Sequence, residues 1–113
     1  MSLFNFRKSK TVIDRDPDVE AIICFNGTRK GPVFNGYRPG HRVTDDYTTT
    51  GLHHYIDVDK VNPNESAKAT ITFITPEYYP HCLWVGKMID ICEGGRVVGT
   101  AEITKIFNPV LGK

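Results

Sequence analysis

A pair of adjacent glycines, Gly94-Gly95, separates two β-rich stretches near the end of the sequence. A two-residue turn between antiparallel strands needs backbone angles with positive φ, which glycine adopts at little cost. Residues 83–92 before the pair and residues 96–107 after it are rich in apolar and β-branched side chains, and both are predicted to be strands. Glu93 and Arg96 flank the pair. The pattern therefore predicts a β-hairpin with one charge of each sign at its tip.

The rest of the sequence repeats this organisation of short strands and turns. Residues 19–25 and 67–75 alternate along the chain, and Ala69, Ile71 and Phe73 are predicted to face the core. Further strands are predicted at residues 41–50, ended by Gly51, and at residues 52–61. About six or seven strands, with turn signals every 8–12 residues or so, predict an all-β sandwich or barrel. We favour a closed antiparallel barrel, because closure leaves no exposed sheet edge.

The length of 113 residues predicts a single domain. We divide the chain into an N-terminal arm (residues 1–18), a β-barrel domain (residues 19–108) and a C-terminal tail (residues 109–113). The first residues contain no long apolar run, so neither a secretory signal nor a membrane span is expected. The cysteines are three in number with no C-x-x-C spacing, which favours reduced thiols in a cytoplasmic protein.

The histidines, cysteines and carboxylates do not form a pattern typical of a catalytic or metal site. His53 and His54 are neighbours, so on a strand they point to opposite faces and are not expected to bind one ion. His81 and Cys82 are also adjacent, a spacing that rarely allows a base to activate a thiol. The sequence has no phosphate-binding G-x-x-x-x-G-K-[ST] loop. We expect no enzyme activity, no cofactor and no metal ion.

Basic and aromatic side chains lie near the predicted turns. The formal net charge of +1 excludes a strong uniform basic field, so any contact with nucleic acid must use a local patch. Basic groups and stackable rings on a β-surface are typical of proteins that bind a nucleic-acid backbone. From the residues alone a solvated polar rim remains the favoured alternative. The residues concerned are Arg29, Lys30, Tyr37, Arg38, Arg42, Lys87 and Arg96.

Three short motifs, in order along the chain, resemble the C-terminal domain (domain III) of elongation factor Tu. They are Phe-Asn-Gly-Tyr-Arg-Pro at residues 34–39, Asp-Tyr-Thr-Thr-Thr-Gly at residues 46–51, and Glu-Gly-Gly-Arg-Val-Val-Gly at residues 93–99. The resemblance covers residues 19–107, and its motifs fall where that family has strands and turns. It implies a six-stranded antiparallel closed β-barrel without nucleotide-binding capacity of its own.

In that family the domain packs against a GTPase domain, meets the exchange factor and touches the T-stem backbone of aminoacyl-tRNA. The resemblance implies RNA-facing or partner-facing roles for Arg38, Glu93, Gly94 and Thr49, and we add Tyr37 and Arg96 from the same motifs, which completes the predicted binding surface. This sequence has no counterpart of the GTPase domain or of the middle barrel. We therefore expect a non-catalytic, stand-alone relative that binds tRNA, rRNA or a translation factor.

The same sequence allows a second hypothesis, which is a protein-interaction module. A barrel without its neighbouring domains would act as a mimic, decoy or immunity protein that occupies a surface meant for the elongation factor. Tyr78-Tyr79 and Trp84 belong to residue types that are enriched at protein interfaces, and these three side chains motivate the hypothesis.

Overall fold

Strands make up about half of residues 15–113, the part of the chain that the computed structural model describes, and most of them alternate between buried and exposed positions. The strands are β1 (Val19–Phe25), β2 (Val33–Phe34), β3 (Gly40–Thr44), β4 (Tyr47–Tyr55), β5 (Lys60–Val61), β6 (Ser66–Phe73), β7 (Met88–Glu93) and β8 (Arg96–Ile106). A 3-10 turn spans Pro76–Tyr78. Within residues 15–113 no helix has the length and apolar character needed to cross a membrane.

Six of these strands close into an antiparallel barrel in the order β1-β6-β4-β3-β7-β8, and β8 returns to pair with β1. The closing ladder begins where Val19 faces Ile106 and ends where Phe25 faces Gly99. The prediction of an all-β, closed, six-stranded antiparallel barrel is confirmed. The short strands β2 and β5 form a separate two-stranded sheet.

The barrel interior is filled by the inward-facing residues of each strand. Val19, Ala21 and Ile23 are fully buried on β1, and Ala69, Ile71 and Phe73 are fully buried on β6. The predicted inward orientation of these three β6 residues is confirmed. Because side chains alternate along a strand, the residues between them on β1 face outward.

A buried carboxylate joins three elements at the start of the barrel. Asp18 accepts hydrogen bonds from the Phe73 backbone amide (2.7 Å), from the Asn108 side-chain amide (2.8 Å) and from both terminal nitrogens of Arg15. These partners compensate the cost of burying the charge. Asp18 was assigned to the N-terminal arm on sequence, and residues 1–14 of that arm lie outside the described residues.

Residues 109–113, predicted as a C-terminal tail, pack against the loop before β7. The Leu83 amide donates to the Leu111 carbonyl (2.9 Å), and the Lys113 amide donates to the Leu83 carbonyl (2.8 Å). The side chain of Leu111 is fully buried in the core. This segment therefore contributes to barrel packing.

Three predicted strands were wrong in their extent. Residues 41–50 are not one strand, because a turn at Asp45-Asp46 separates β3 from β4. The strand predicted at residues 52–61 ends at Tyr55, since Asp57 has a φ of +69°. The strand predicted at residues 83–92 starts only at Met88, because Gly86 has a φ of +95°. Residues with positive φ cannot continue a strand.

Gly51 was predicted to end a strand, but it lies inside β4. A Cβ atom at this position would come within 2.8 Å of a methyl group of Ile71 and 2.9 Å of the His41 ring. Gly51 therefore allows the side chains of Ile71 and His41 to pack close to its backbone, and the β4 strand continues through it.

Candidate binding site

Three chain connections meet at one end of the barrel. They are the β1–β2 connection, the turn between β2 and β3, and the β7–β8 hairpin turn. The first is tied to β8 by Asn26, whose backbone amide donates to the Val98 carbonyl (2.9 Å) and whose side chain donates to the Val97 carbonyl (3.0 Å). This arrangement brings two of the sequence motifs that carry the resemblance, residues 34–39 and 93–99, to the same end.

The hairpin turn forms at the predicted glycines. Gly94 has a φ of +61°, and Glu93 pairs with Arg96 across the turn. The register shifts after Ile91, so that β8 carries one extra residue next to the turn. Such a bulge increases the local twist and re-aims side chains. Across the tip Arg96 Nη2 donates a hydrogen bond to Glu93 Oε1 at 3.0 Å.

The second motif forms a tight turn from Phe34 to Tyr37. Gly36 occupies the third position with a φ of +97°, as a type II turn requires, and the Tyr37 amide donates to the Phe34 carbonyl at 3.1 Å. The Gly36 amide donates to the His53 carbonyl (3.1 Å), and the His53 amide donates to the Tyr37 carbonyl (2.9 Å). The turn is therefore fixed to β4 by its backbone.

Glu93 is the centre of a four-residue cluster, which we call the Glu93 cluster and which comprises Arg29, Tyr37, Glu93 and Arg96. The Tyr37 hydroxyl and Arg29 Nη1 both donate hydrogen bonds to Glu93 Oε2, and Arg96 occupies Oε1. The Arg29 guanidinium carbon also lies 5.1 Å from the centre of the Tyr37 ring, within cation–π range. One carboxylate thus holds two guanidinium groups and one phenol.

The electrostatics of the Glu93 cluster follow from these contacts. Partial burial opposes ionisation of Glu93, but the Tyr37 hydrogen bond and the arginine charges outweigh it, so the pKa of the carboxyl lies below its ordinary value. Burial, together with the bond to the Glu93 carboxylate, raises the pKa of Tyr37. At neutral pH the cluster therefore contains an ionised carboxylate, a neutral phenol and two cations.

The cluster leaves positive charge and donor groups at the surface. Two guanidinium groups outnumber the one carboxylate. Arg29 also donates to the carbonyls of Gly31 (3.4 Å) and Pro32 (3.5 Å), whereas the exposed Arg96 has more N–H donors than Glu93 uses. Arg38 and Gly94 are exposed. We call Arg29, Arg38, Arg96 and the Gly94 turn the basic turn surface. The arginines of this surface can donate paired, charge-assisted hydrogen bonds to phosphate or carboxylate oxygens. The backbone amide at the Gly94 turn lets such an oxygen approach closely.

The six residues predicted for the binding surface do not all meet. Tyr37 and Arg96 each bond to Glu93, Gly94 belongs to the same turn as Glu93, and Arg38 follows Tyr37 in the chain and is exposed. Thr49 lies apart in β4. It is buried, and its hydroxyl accepts a hydrogen bond from the Tyr79 hydroxyl at 3.1 Å.

Arg29 is the member of the cluster that sequence reasoning left out of the predicted binding surface. It was identified only as one of several exposed basic residues. Its carboxylate partner lies 64 positions further along the chain, so no local spacing signals the pair.

Two histidines lie side by side inside the barrel. Nε2 of His41 and Nε2 of His53 are 2.8 Å apart, and Nδ1 of His53 is 2.8 Å from the Tyr55 hydroxyl. All three side chains are buried. Burial lowers the pKa of His41 to about 4, and burial together with the proximity of His41 lowers the pKa of His53 well below its ordinary value. Both imidazoles are therefore neutral at pH 7.

The histidine pair cannot satisfy all of its polar atoms. Between two neutral rings one Nε2 donates and the other accepts, and either choice leaves Nδ1 of His41 without a partner.

The opposite orientation of His53 and His54, predicted from their adjacency, is confirmed, since His53 is buried and His54 is exposed. The sequence does contain a signal for His41. It lies two positions before Val43, so the two residues share one face of β3, and the structure shows that face to be buried.

A second exposed surface surrounds Trp84. Trp84 is 44% exposed, and the ammonium groups of Lys87 and Lys113 lie 4.6 Å and 5.0 Å from the centre of the indole. Lys87 is fixed by donating to the carbonyls of Val43 and Cys82, each at 2.7 Å. Trp84 and Met88 line an open groove of about 380 Å³ with charged residues of β3 and β7.

Within residues 15–113 no group of three or more histidine, cysteine, aspartate or glutamate side chains is arranged to hold a metal ion. No protein-family model matches the sequence.

Proposed function

We propose that this chain is a non-catalytic, stand-alone relative of the C-terminal barrel domain of elongation factor Tu, acting in the cytoplasm. In this proposal it binds RNA, tRNA in particular, or an RNA-containing component of the translation apparatus. The contact residues are Tyr37, Arg38, Glu93, Gly94 and Arg96, joined by Arg29. Thr49 is left out, because its side chain is buried and bonded to Tyr79.

The observation that carries the proposal is the contact between two motifs that are distant in sequence. Tyr37 from the Phe-Asn-Gly-Tyr-Arg-Pro motif and Arg96 from the Glu-Gly-Gly-Arg motif bond to the same carboxylate, that of Glu93. The closed six-stranded antiparallel barrel is also the fold that the resemblance implies. Phosphate contacts from arginines around glycine amides would position an RNA backbone without reading its sequence.

A salt titration of tRNA binding tests the proposal. Fluorescence anisotropy with labelled tRNA should give a dissociation constant that rises steeply with salt, because each phosphate contact releases counterions. Arg38→Gln and Arg96→Gln should each weaken binding and reduce the slope of log K against log salt by about 1. Lys105→Gln is the matched control, since it removes one exposed positive charge near the opposite end of β8.

The outcomes separate clearly. Loss of affinity in the two arginine variants with an unchanged Lys105→Gln variant supports the basic turn surface as the binding site. Absence of tRNA binding at about 50 mM salt, where phosphate contacts are strong, would remove the proposal. Equal losses in all three variants would reduce the interaction to non-specific attraction.

A second candidate function is a protein-interaction module that occupies a surface meant for the elongation-factor domain. The observation in its favour is the apolar surface at Trp84, Val85 and Met88, of which Val85 is 64% and Met88 57% exposed. Tryptophan and methionine are among the residue types that are enriched in protein interfaces.

An RNase-treated pull-down distinguishes the two candidates. Complexes with a translation GTPase or another translation factor that survive RNase, are lost in Trp84→Ala and persist in Arg96→Gln would favour the interaction module. Complexes that disappear on RNase treatment and in Arg96→Gln would favour RNA binding instead.

A further inference from the structure

Phe34 is held outward next to the basic turn surface. Its side chain is 56% exposed, whereas Val33, the other residue of β2, is buried against the core. Because neighbouring residues of a strand point to opposite faces, the anchoring of Val33 fixes the outward direction of Phe34. Packing in the barrel core therefore does not explain why a phenylalanine occupies this position.

The backbone around Phe34 is fixed at several points. Its carbonyl accepts from the Tyr37 amide, and the neighbouring Asn35 side chain accepts from the Tyr55 amide at 2.7 Å. Phe34 also pairs with Lys60 in the β2–β5 sheet. An aromatic ring on an immobilised backbone loses little conformational entropy when a ligand packs on it.

Two cationic residues lie near Phe34, and one of them, Lys60, is preceded by the exposed carboxylate of Asp59. Lys60 lies directly across the β2–β5 pair, and the other end of the turn carries Tyr37 with the Arg29 guanidinium over its ring. The Cα atoms of Phe34 and Tyr37, at the two ends of this β-turn, lie within about 7 Å of each other. An exposed ring beside a track of cations is the usual platform for stacking a base of single-stranded nucleic acid.

We propose that Phe34 stacks on an unpaired base of a single-stranded RNA segment whose phosphates lie on the basic turn surface. This inference rests on the RNA-binding function proposed above. It adds a preference, because bases that are stacked inside a duplex have no free face for the ring to meet. The protein should therefore bind single-stranded RNA more tightly than duplex RNA of equal length.

Two labelled probes test the preference by fluorescence anisotropy. One is an oligoadenylate of about 12 nucleotides, within the range of single-strand site sizes, and the other is a duplex RNA of about the same length. Phe34→Ala should weaken oligoadenylate binding about fivefold or more and leave duplex binding unchanged. Phe34→Tyr should retain the preference. Phe107→Ala is the matched control, since Phe107 is 50% exposed at the opposite end of β8.

A direct readout of stacking comes from a tryptophan at the same position. Trp84 is the one tryptophan in the sequence, so Phe34→Trp combined with Trp84→Phe gives a single reporter. Its fluorescence should be quenched by oligoadenylate and not by the duplex.

Each result decides one question. Selective loss in Phe34→Ala, with quenching in the reporter variant, supports stacking. Wild-type binding to both probes that Phe34→Ala leaves unchanged, or weakens equally, would overturn the inference while RNA binding stands. A wild-type protein that binds neither probe at low salt would overturn the inference, and the tRNA titration described above then decides separately whether the RNA-binding proposal stands.

Discussion

The buried histidine pair makes the barrel sensitive to mild acid. An imidazole whose pKa is lower in the folded than in the unfolded state stabilises the fold above the unfolded pKa, and that contribution is lost as the pH falls. For His41 the ordinary value is 6.5 and the folded value is about 4. We therefore expect stability to fall between about pH 6.5 and pH 4, with His53 contributing in the same direction.

The size of the effect follows from the linkage relation. His41 alone should cost about 2 kcal/mol of unfolding free energy between pH 7 and pH 5, and roughly 3 kcal/mol once it is fully protonated. The contribution of His53 adds to this figure. Since domains of this size are stable by only about 5–15 kcal/mol, the loss is a large fraction of the total.

Urea unfolding followed by circular dichroism at pH 7 and pH 5 measures this loss. The window lies above the ordinary pKa of aspartate and glutamate, so carboxylate titration contributes little. His41→Gln and His53→Gln should each flatten the dependence of stability on pH, whatever their effect at pH 7. His54→Gln is the control, because His54 is the exposed neighbour of His53. Equal stability of the wild type at pH 7 and pH 5, or an unchanged dependence in both variants, would refute the reasoning.

Three further predictions use the same unfolding assay. Gly51→Ala should cost about 1–3 kcal/mol, because its Cβ would overlap the His41 ring; Gly31→Ala, with open space around it, should stay within about 0.5 kcal/mol, and equal effects would contradict the packing argument. Leu111→Ala should cost about 2–5 kcal/mol, since this residue is fully buried, and a loss under about 1 kcal/mol would mean that the segment is not part of the core. Glu93→Gln should cost about 1 kcal/mol by removing the charge shared by its three donors, and an unchanged midpoint would show that those bonds contribute nothing net.

Local sequence signals were sufficient for the regular parts of the fold. Alternation along β1 and β6 predicted which residues fill the barrel, and Gly94-Gly95 predicted the β7–β8 turn, because both depend on short-range backbone geometry. They failed at the β3–β4 hairpin. Its turn residues, Asp45-Asp46, have no positive φ, and the ladder has an irregular register between Arg42 and Thr44. Aspartate is a common turn residue, but without glycine or asparagine this turn lacks the strongest two-residue hairpin signal.

The candidate site was predictable only in part, because its contacts are long-range. The flanking charges Glu93 and Arg96 are visible from the hairpin pattern. That the same carboxylate also bonds Tyr37 and Arg29 follows from barrel closure, which places distant turns at one end. The His41–His53 contact depends in the same way on the β3–β4 register and on the space left by Gly51.

The pairing of β1 with β8 also governs when the protein can fold. β1 cannot complete its hydrogen bonding until β8 is available to pair with it, and the Asp18–Asn108 hydrogen bond joins residues 90 positions apart. Contacts of such separation slow folding, since a long loop must close before they form. On the ribosome the nascent chain stays an open sheet with two free edges until β8 has left the exit tunnel. The barrel therefore closes only after β8 has been synthesised, and shielding by a chaperone would matter most before that point.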